Sequence, residues 1–157
     1  MDRATITWDD EVLRLVDLAT SEHPLLGERG YFALVSARLD EAADVWRDLE
    51  LLYIGQAFHE SLRERIAALG DDHAVVEAAA AERSGAEVIA MIGVMTDSSL
   101  GRITQGFWVD VESCLVARNR PRCNAAVEAY TGRKISLLND GAREPLQARI
   151  WTKTPVA

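Results

Sequence analysis

Two short stretches carry the residues that could do chemistry: YIGQAFHESLR, from Tyr53 to Arg63, and ESCLVARNRPRCN, from Glu112 to Asn124. Between them they place tyrosine, arginine, glutamate and asparagine at spacings that suit metal-assisted cleavage of a phosphodiester. That reaction needs an activated water, a cation or metal to take up charge on the phosphoryl oxygens, and help for the leaving oxygen. A carboxylate, a guanidinium and a phenol can supply those parts. Glu112 is the strongest single candidate. Its helical neighbours three and four residues away are Trp108, Val109, Leu115 and Val116, all apolar, and a carboxylate on such a face needs a partner because burying an unpaired charge is costly. The partner can be Mg²⁺ or Mn²⁺, with waters completing the octahedron that hard cations prefer, or an arginine in an ordinary ion pair. Arg63, between Glu60 and Glu64, reads as readily as a surface salt-bridge residue. Tyr53 likewise reads as a packed aromatic with its hydroxyl toward solvent. Gly55 permits close backbone approach or a tight exit from a strand.

These residues must be held by elements that the patterning outlines. Asp9 and Asp10 precede EVLRLVDLA, whose apolar Val12, Leu15, Val16 and Leu18 have helical spacing, so an amphipathic N-terminal helix is expected. A loop with Pro24, Gly27 and Gly30 leads to a strand at YFALVS. ARLDEAADVWRDLE then reads as a charged connection with room for a short helix before a second strand, LLYIG. SLRERIAAL and the alanine-rich DHAVVEAAAAER predict two helices, and EVIAMIGVM a third strand. Phe107, Val111, Cys114 and Leu115 predict another helix from about Thr104 to Ala117, which must finish before Pro121. The tail offers a turn at Thr131-Gly132, strand-like KISLLN, a turn at Asn139-Asp140-Gly141 and a final strand at Ala148 to Thr152.

With 157 residues, 48% hydrophobic and 27% charged, the chain suits one soluble domain with its own core. No apolar window approaches the length of a membrane span, the acidic start does not look like a cleaved signal, and Cys114 and Cys123 lack metal-site spacing. A cytoplasmic protein is expected. The net charge of −8 opposes nonspecific nucleic-acid affinity, which comes mainly from neutralising phosphates. After Glu112, however, eight basic residues face three acidic ones. That asymmetry fits one anion-binding face on an otherwise repelling surface, and equally fits solvated charges with no common face.

Taken together, the two stretches resemble the GIY-YIG nuclease family, found in homing endonucleases, some restriction enzymes and the N-terminal incision module of bacterial excision-repair endonucleases. In that family a phosphate-binding arginine follows the YIG tyrosine by ten residues, the separation of Tyr53 from Arg63. The metal-binding glutamate begins a helical segment that runs into a basic, proline-containing turn and an asparagine, as Glu112 to Asn124 does. The likeness is to small standalone members, matched by PRCNAAVEAYTGR and LLNDG, and covers about Gly30 to Leu146. It implies that Glu112 binds the divalent ion, Arg63 holds the scissile phosphate, Tyr53 acts as base or water-orienting hydroxyl, and Asn124 braces the site. Arg65, Arg118, Arg120 and Arg122 become candidates for binding phosphate or nucleic acid. Two positions depart from the pattern. Phe32 stands where the first family tyrosine would be, and Ala67 stands where a His or Tyr often follows the arginine. Tyr31, His59 and His73 are candidates to compensate, although Tyr31 could do so only through a bulge or a shifted alignment.

The expectation is therefore an α+β domain with a small central, mostly antiparallel sheet flanked by helices. It comprises a helical extension over about 1–28, a core over about 30–125 and a C-terminal extension over about 126–157. The expected function is a DNA endonuclease using Mg²⁺ or Mn²⁺, although the phosphate chemistry is common to RNA. The alternatives are an attenuated nucleic-acid-binding module, or a homodimer or protein-interaction domain joined through exposed Trp8, Trp46 or Trp151.

Overall fold

Strands that are apolar on both faces belong in the middle of a layered structure, and the run from Gly30 to Ala37 is buried without interruption. The computed structural model describes residues 1–125, 130 and 132–152. Its strands are β1 (Asp2–Trp8), β2 (Leu13–Arg14), β3 (Gly30–Asp40), β4 (Val45–Ala57), β5 (Glu87–Ser98), β6 (Ile135–Gly141) and β7 (Arg149–Trp151). Three helices, α1 (Leu62–Ala67), α2 (Asp71–Ala81) and α3 (Gln105–Asn119), complete an α+β fold. The sheet runs β4-β3-β5-β1-β6-β7, with β2 also paired to β5, and only the β1–β6 pairing is parallel.

Alternation along β3 creates two cores. Tyr31, Ala33, Val35 and Ala37 point toward α3, against Phe107, Trp108, Val111 and Leu115. Phe32 and Leu34 point the other way, with Leu52 and Tyr53 of β4, toward Leu62 and Ile66 of α1 and Val76 and Ala79 of α2. The helix α1 begins at a capping box in which the Ser61 hydroxyl accepts from Glu64 N–H and the Glu64 carboxylate accepts from Ser61 N–H. The Thr104 hydroxyl caps α3 by accepting from Phe107 N–H at 3.2 Å. That helix stops at Asn119, with Arg120 left-handed at φ 49° ahead of Pro121.

Several expectations require correction. Residues 1–28 hold no N-terminal α-helix. Instead Asp2–Trp8 is a strand in the body of the sheet, and the segment expected to be helical forms β2 and a 3-10 turn at Leu15–Asp17. Ala4, Ile6 and Trp8 are buried between more exposed Arg3, Thr5 and Thr7, a period of two. Val16, assigned above to the apolar face, is 78% exposed. The charged connection after β3 holds no helix, because β3 and β4 simply continue to a turn at residues 41–44. Its charges brace the ribbon: Arg47 donates to Asp40 at 2.8 Å, Arg38 to Asp48 at 3.2 Å, and Arg83 to the Ser36 hydroxyl at 2.7 Å. Trp8 is only 1% exposed and donates its indole N–H to Asn139 at 3.0 Å, and Trp46 is partly buried, so among the three tryptophans proposed for an interface only Trp151, at 53%, is exposed. The C-terminal segment is part of the sheet through β6 and β7, and Asn139–Gly141 ends β6. The turn expected at Thr131-Gly132 lies partly outside the described residues.

Gly55 is needed for a local reason. It pairs across the ladder with Phe32, and a Cβ there would lie 2.3 Å from the ring carbon Cζ. Gly55→Ala is expected to destabilise the protein by about 1–3 kcal/mol through overpacking of this fully buried ring. Chemical denaturation would measure the loss, and wild-type stability in the variant would show that the Phe32–Gly55 contact is not constraining.

Candidate functional site

Tyr53 projects from β4 into the layer of α1 and α2, where its ring stacks on Phe32 with centroids 6.0 Å apart. Its hydroxyl donates to Asp72 Oδ2, in the first turn of α2, at 3.2 Å. Burial is the main influence raising the Tyr53 pKa, followed by the negative charge of Asp72; Arg65 acts in the opposite direction, and Glu112 adds to the rise. Tyr53 is therefore a phenol at neutral pH rather than a phenolate.

Glu112 stands on α3, which packs on the other face of the sheet, and its charge bears on both Tyr53 and Tyr31. Burial raises its pKa, and the cation acting against that rise is Arg65. Among the described residues its carboxylate has no hydrogen bond and no salt bridge, so the arginine ion pair weighed as the ordinary explanation is absent there. Arg65 also makes no side-chain hydrogen bond or ion pair among these residues. The charges of a half-buried carboxylate and of a guanidinium without a side-chain partner among the described residues thus both act on the Tyr53 phenol.

Asn124 holds this arrangement from the edge. Its Oδ1 accepts from Ile54 N–H and its Nδ2 donates to Ile54 C=O, both at 2.9 Å. Just before it, Cys123 N–H donates to Leu52 C=O at 2.7 Å. The chain leaving α3 therefore pairs with the outer edge of β4 next to Tyr53, satisfying backbone groups that an edge strand would otherwise leave open.

Arg63 is occupied elsewhere. It sits two residues before Arg65 on α1, and its guanidinium donates to the carbonyl oxygens of Leu18 and Ser21, tying the N-terminal loop to that helix. Tyr31 follows Phe32's neighbouring position to the opposite face, and β3 has no register shift there. It is fully buried, stacks on Trp108 at 4.7 Å and donates its hydroxyl to Trp108 C=O at 2.9 Å. Burial and the charge of Glu112 push its pKa up. His59 lies 3.2 Å from the Gln105 amide oxygen, while His73 lies 3.2 Å from Glu77, one turn along exposed α2. Ala67 is exposed at the end of α1. Of the C-terminal arginines, Arg118 donates to Trp151 C=O at 2.7 Å and Arg122 pairs with Glu50 and Glu82. Arg120 is exposed at the helix end and has no side-chain partner among the described residues.

The carboxylate that sequence reasoning missed is Asp72. Its only signal was its place in the first turn of a helix, where acidic residues are common for dipole reasons alone. A separate cluster, Asp9, Glu11 and His23, brings three ligand-type atoms within 4.8 Å of one another. The imidazole there is committed to the fold. His23 Nδ1 accepts from Leu25 N–H at 3.2 Å, and Nε2 lies 3.0 Å from the Glu11 carbonyl oxygen, which can only accept. The ring proton is thus on Nε2, and no lone pair remains for a metal.

No protein-family model, curated protein or solved structure matches this chain.

The environment of Glu112 has a thermodynamic consequence. Its folded pKa lies above the ordinary value of 4.5, so the native state binds that proton more tightly than the unfolded chain does. Ionisation therefore weakens the fold as pH rises from the ordinary value through the folded one. In chelator-treated buffer, Glu112→Gln is expected to have a higher Tm than wild type at neutral pH, with the difference vanishing below about pH 4. Equal Tm values across that range would show that the carboxylate is solvated at no cost.

Proposed function

We propose that this chain is a metal-dependent endonuclease of GIY-YIG type that hydrolyses DNA phosphodiester bonds. The reading is carried by Glu112, a carboxylate partly withdrawn from water with no protein partner among the described residues, whose charge, like that of Arg65, bears on Tyr53. The order of elements also supports it: the hairpin β3–β4, two helices, β5 beside β3, then the glutamate-bearing α3 and an asparagine fastened to β4.

Glu112 suits a hard divalent cation. It offers one carboxylate with no competing protein contact, and Mg²⁺ or Mn²⁺ commonly accepts one or two carboxylates while keeping waters. Such an ion would supply Lewis-acid stabilisation of charge on the phosphoryl oxygens. The chain's own contributions follow from the geometry. Arg65 takes the phosphate role that the ten-residue spacing gave to Arg63, because its guanidinium has no side-chain partner among the described residues and its charge acts on Glu112, whereas Arg63 holds the loop at Leu18 and Ser21. Tyr53, held as a neutral phenol, orients the attacking water by accepting a hydrogen bond from it. Asn124 keeps β4 in register with the end of α3 and so fixes the relation of Tyr53 to Glu112.

Phe32, which brings no hydroxyl to the face it shares with Tyr53, favours a second reading in which the same site binds nucleic acid but has lost much of its catalysis. Both readings assign Arg65 to phosphate.

Labelled single-stranded, duplex and branched DNAs, incubated with Mn²⁺ or Mg²⁺, separate them. Wild type is expected to cut at least one, while folded Glu112→Ala and Arg65→Ala lose about 100-fold or more in rate. Arg63→Ala should instead lower stability by about 2 kcal/mol or more, because two carbonyls lose a charged donor, with cleavage retained by the folded fraction. Salt-sensitive binding without cutting would favour the attenuated module. A stable, inactive Arg63→Ala beside an active Arg65→Ala would overturn the assignment of the phosphate-binding arginine.

A further inference from the structure

A neutral tyrosine is a poor base, and the structure makes Tyr53 a weaker acid than usual rather than a stronger one, through burial first and the charge of Asp72 next. Water activation at this site therefore requires a second group to receive a proton. That group must touch the phenol oxygen and have a path to solvent. Asp72 meets both conditions: its Oδ2 accepts the Tyr53 hydroxyl proton at 3.2 Å, and the residue is exposed at the start of α2.

Resting on the nuclease reading, we infer that Tyr53 and Asp72 form a proton relay in which Asp72 receives the phenol proton as Tyr53 takes one from the attacking water. As the water oxygen bonds to phosphorus and the bond to the leaving ester oxygen breaks, one water proton passes to Tyr53 Oη. The phenol's own proton passes to Asp72 Oδ2. Tyr53 is regenerated as a phenol, the protonated Asp72 releases its proton to solvent, and the leaving oxygen is protonated from solvent. No net charge develops on the phenol, so its raised pKa ceases to be an obstacle. Asp72 acts through Tyr53 and is a positioning residue in this scheme. The hydrogen bond also fixes the hydroxyl rotor, leaving an Oη lone pair for the water. The charges of Arg65 and Glu112 act on the same phenol.

The decisive comparison is Asp72→Asn against Asp72→Ala, each made also with Tyr53→Phe and measured in single-turnover cleavage with Mn²⁺. An asparagine oxygen still accepts the phenol hydrogen bond but cannot take the proton. Both single variants are therefore expected to slow cleavage by about 100-fold, with unchanged circular dichroism and substrate binding. In the Tyr53→Phe background they should cost nothing further. A readout independent of cleavage is tyrosinate absorbance during alkaline titration of the metal-free protein. The first tyrosine to ionise should be missing in Tyr53→Phe and should ionise at lower pH in Asp72→Asn. Wild-type rates in Asp72→Asn, an undiminished effect without the Tyr53 hydroxyl, or no change in the titration would overturn the relay while leaving the nuclease reading intact, provided Glu112→Ala still abolishes cutting. Absence of wild-type cleavage on every substrate would overturn both.

Discussion

The candidate site depends on a side-chain amide standing in for a strand. Asn124 gives Ile54 both the acceptor and the donor that a neighbouring backbone would provide, at 2.9 Å each. Ile54 lies between Tyr53 and Gly55, so the clasp sets the part of β4 that carries the phenol. It also anchors the chain five residues beyond the end of α3, which carries Glu112. Packing of Phe107, Trp108 and Val111 on β3, the Tyr31–Trp108 hydrogen bond and the Cys123–Leu52 backbone bond also relate the helix to the sheet, and the Asn124 amide adds a grip on both backbone groups of the residue next to Tyr53. Paired amide hydrogen bonds are directional, and this pair converts helix-on-sheet packing into a defined separation between two functional groups.

The arginines illustrate why composition alone was a poor guide to the site. A guanidinium has five donors in a planar fork, and here most forks are filled by the protein itself. Arg63 bridges Leu18 and Ser21, Arg83 bridges Ser36 and Asp48, Arg122 bridges Glu50 and Glu82, and Arg133 bridges Asp2 and Asp110. Of the basic residues after Glu112, Arg118, Arg122, Arg133 and Arg143 are engaged by the protein's own acceptors. Arg65 differs from these in having no side-chain hydrogen bond or ion pair among the described residues, while its charge acts on both Glu112 and Tyr53. Recognition on the proposed reading is local, with few free cations, and the net charge of −8 would suppress binding wherever that local fit is missing.

Much of the core was legible because its patterns are strong. The apolar YFALVS and EVIAMIGVM runs and the proline after α3 each point to one local structure. Misreading began where two periods overlap. Val12, Leu15, Val16 and Leu18 satisfy helical spacing, yet Leu13 and Leu15 serve a strand and a 3-10 turn while Val16 faces water. The preceding alternation of Ala4, Ile6 and Trp8 was a strand signal outweighed by two aspartates that look like a helix start. Likewise, the charged stretch after β3 packs only Trp46 and Leu49 partly against the core; it is also held by ion pairs and by Arg83, contacts between residues up to 47 positions apart that no local window contains.

The candidate site was legible to a different degree. Glu112 stood out because a carboxylate surrounded by apolar helical neighbours is chemically conspicuous, and the same conspicuousness has a physical origin in its raised pKa. Spacing from the YIG tyrosine selected Arg63 over Arg65, but spacing counts residues while a helix turns about 100° per residue, so two positions place their side chains on nearly opposite faces. Asp72 was hidden for the converse reason: an exposed acid at a helix start is unremarkable until its partner is known. Partial burial then ties the two carboxylates together. Burial first, then Asp72 and Glu112, push the Tyr53 pKa upward, whereas Arg65 pulls it down, so the phenol is held neutral. A group in that position is suited to pass a proton on, and poorly suited to keep one or give one up for good.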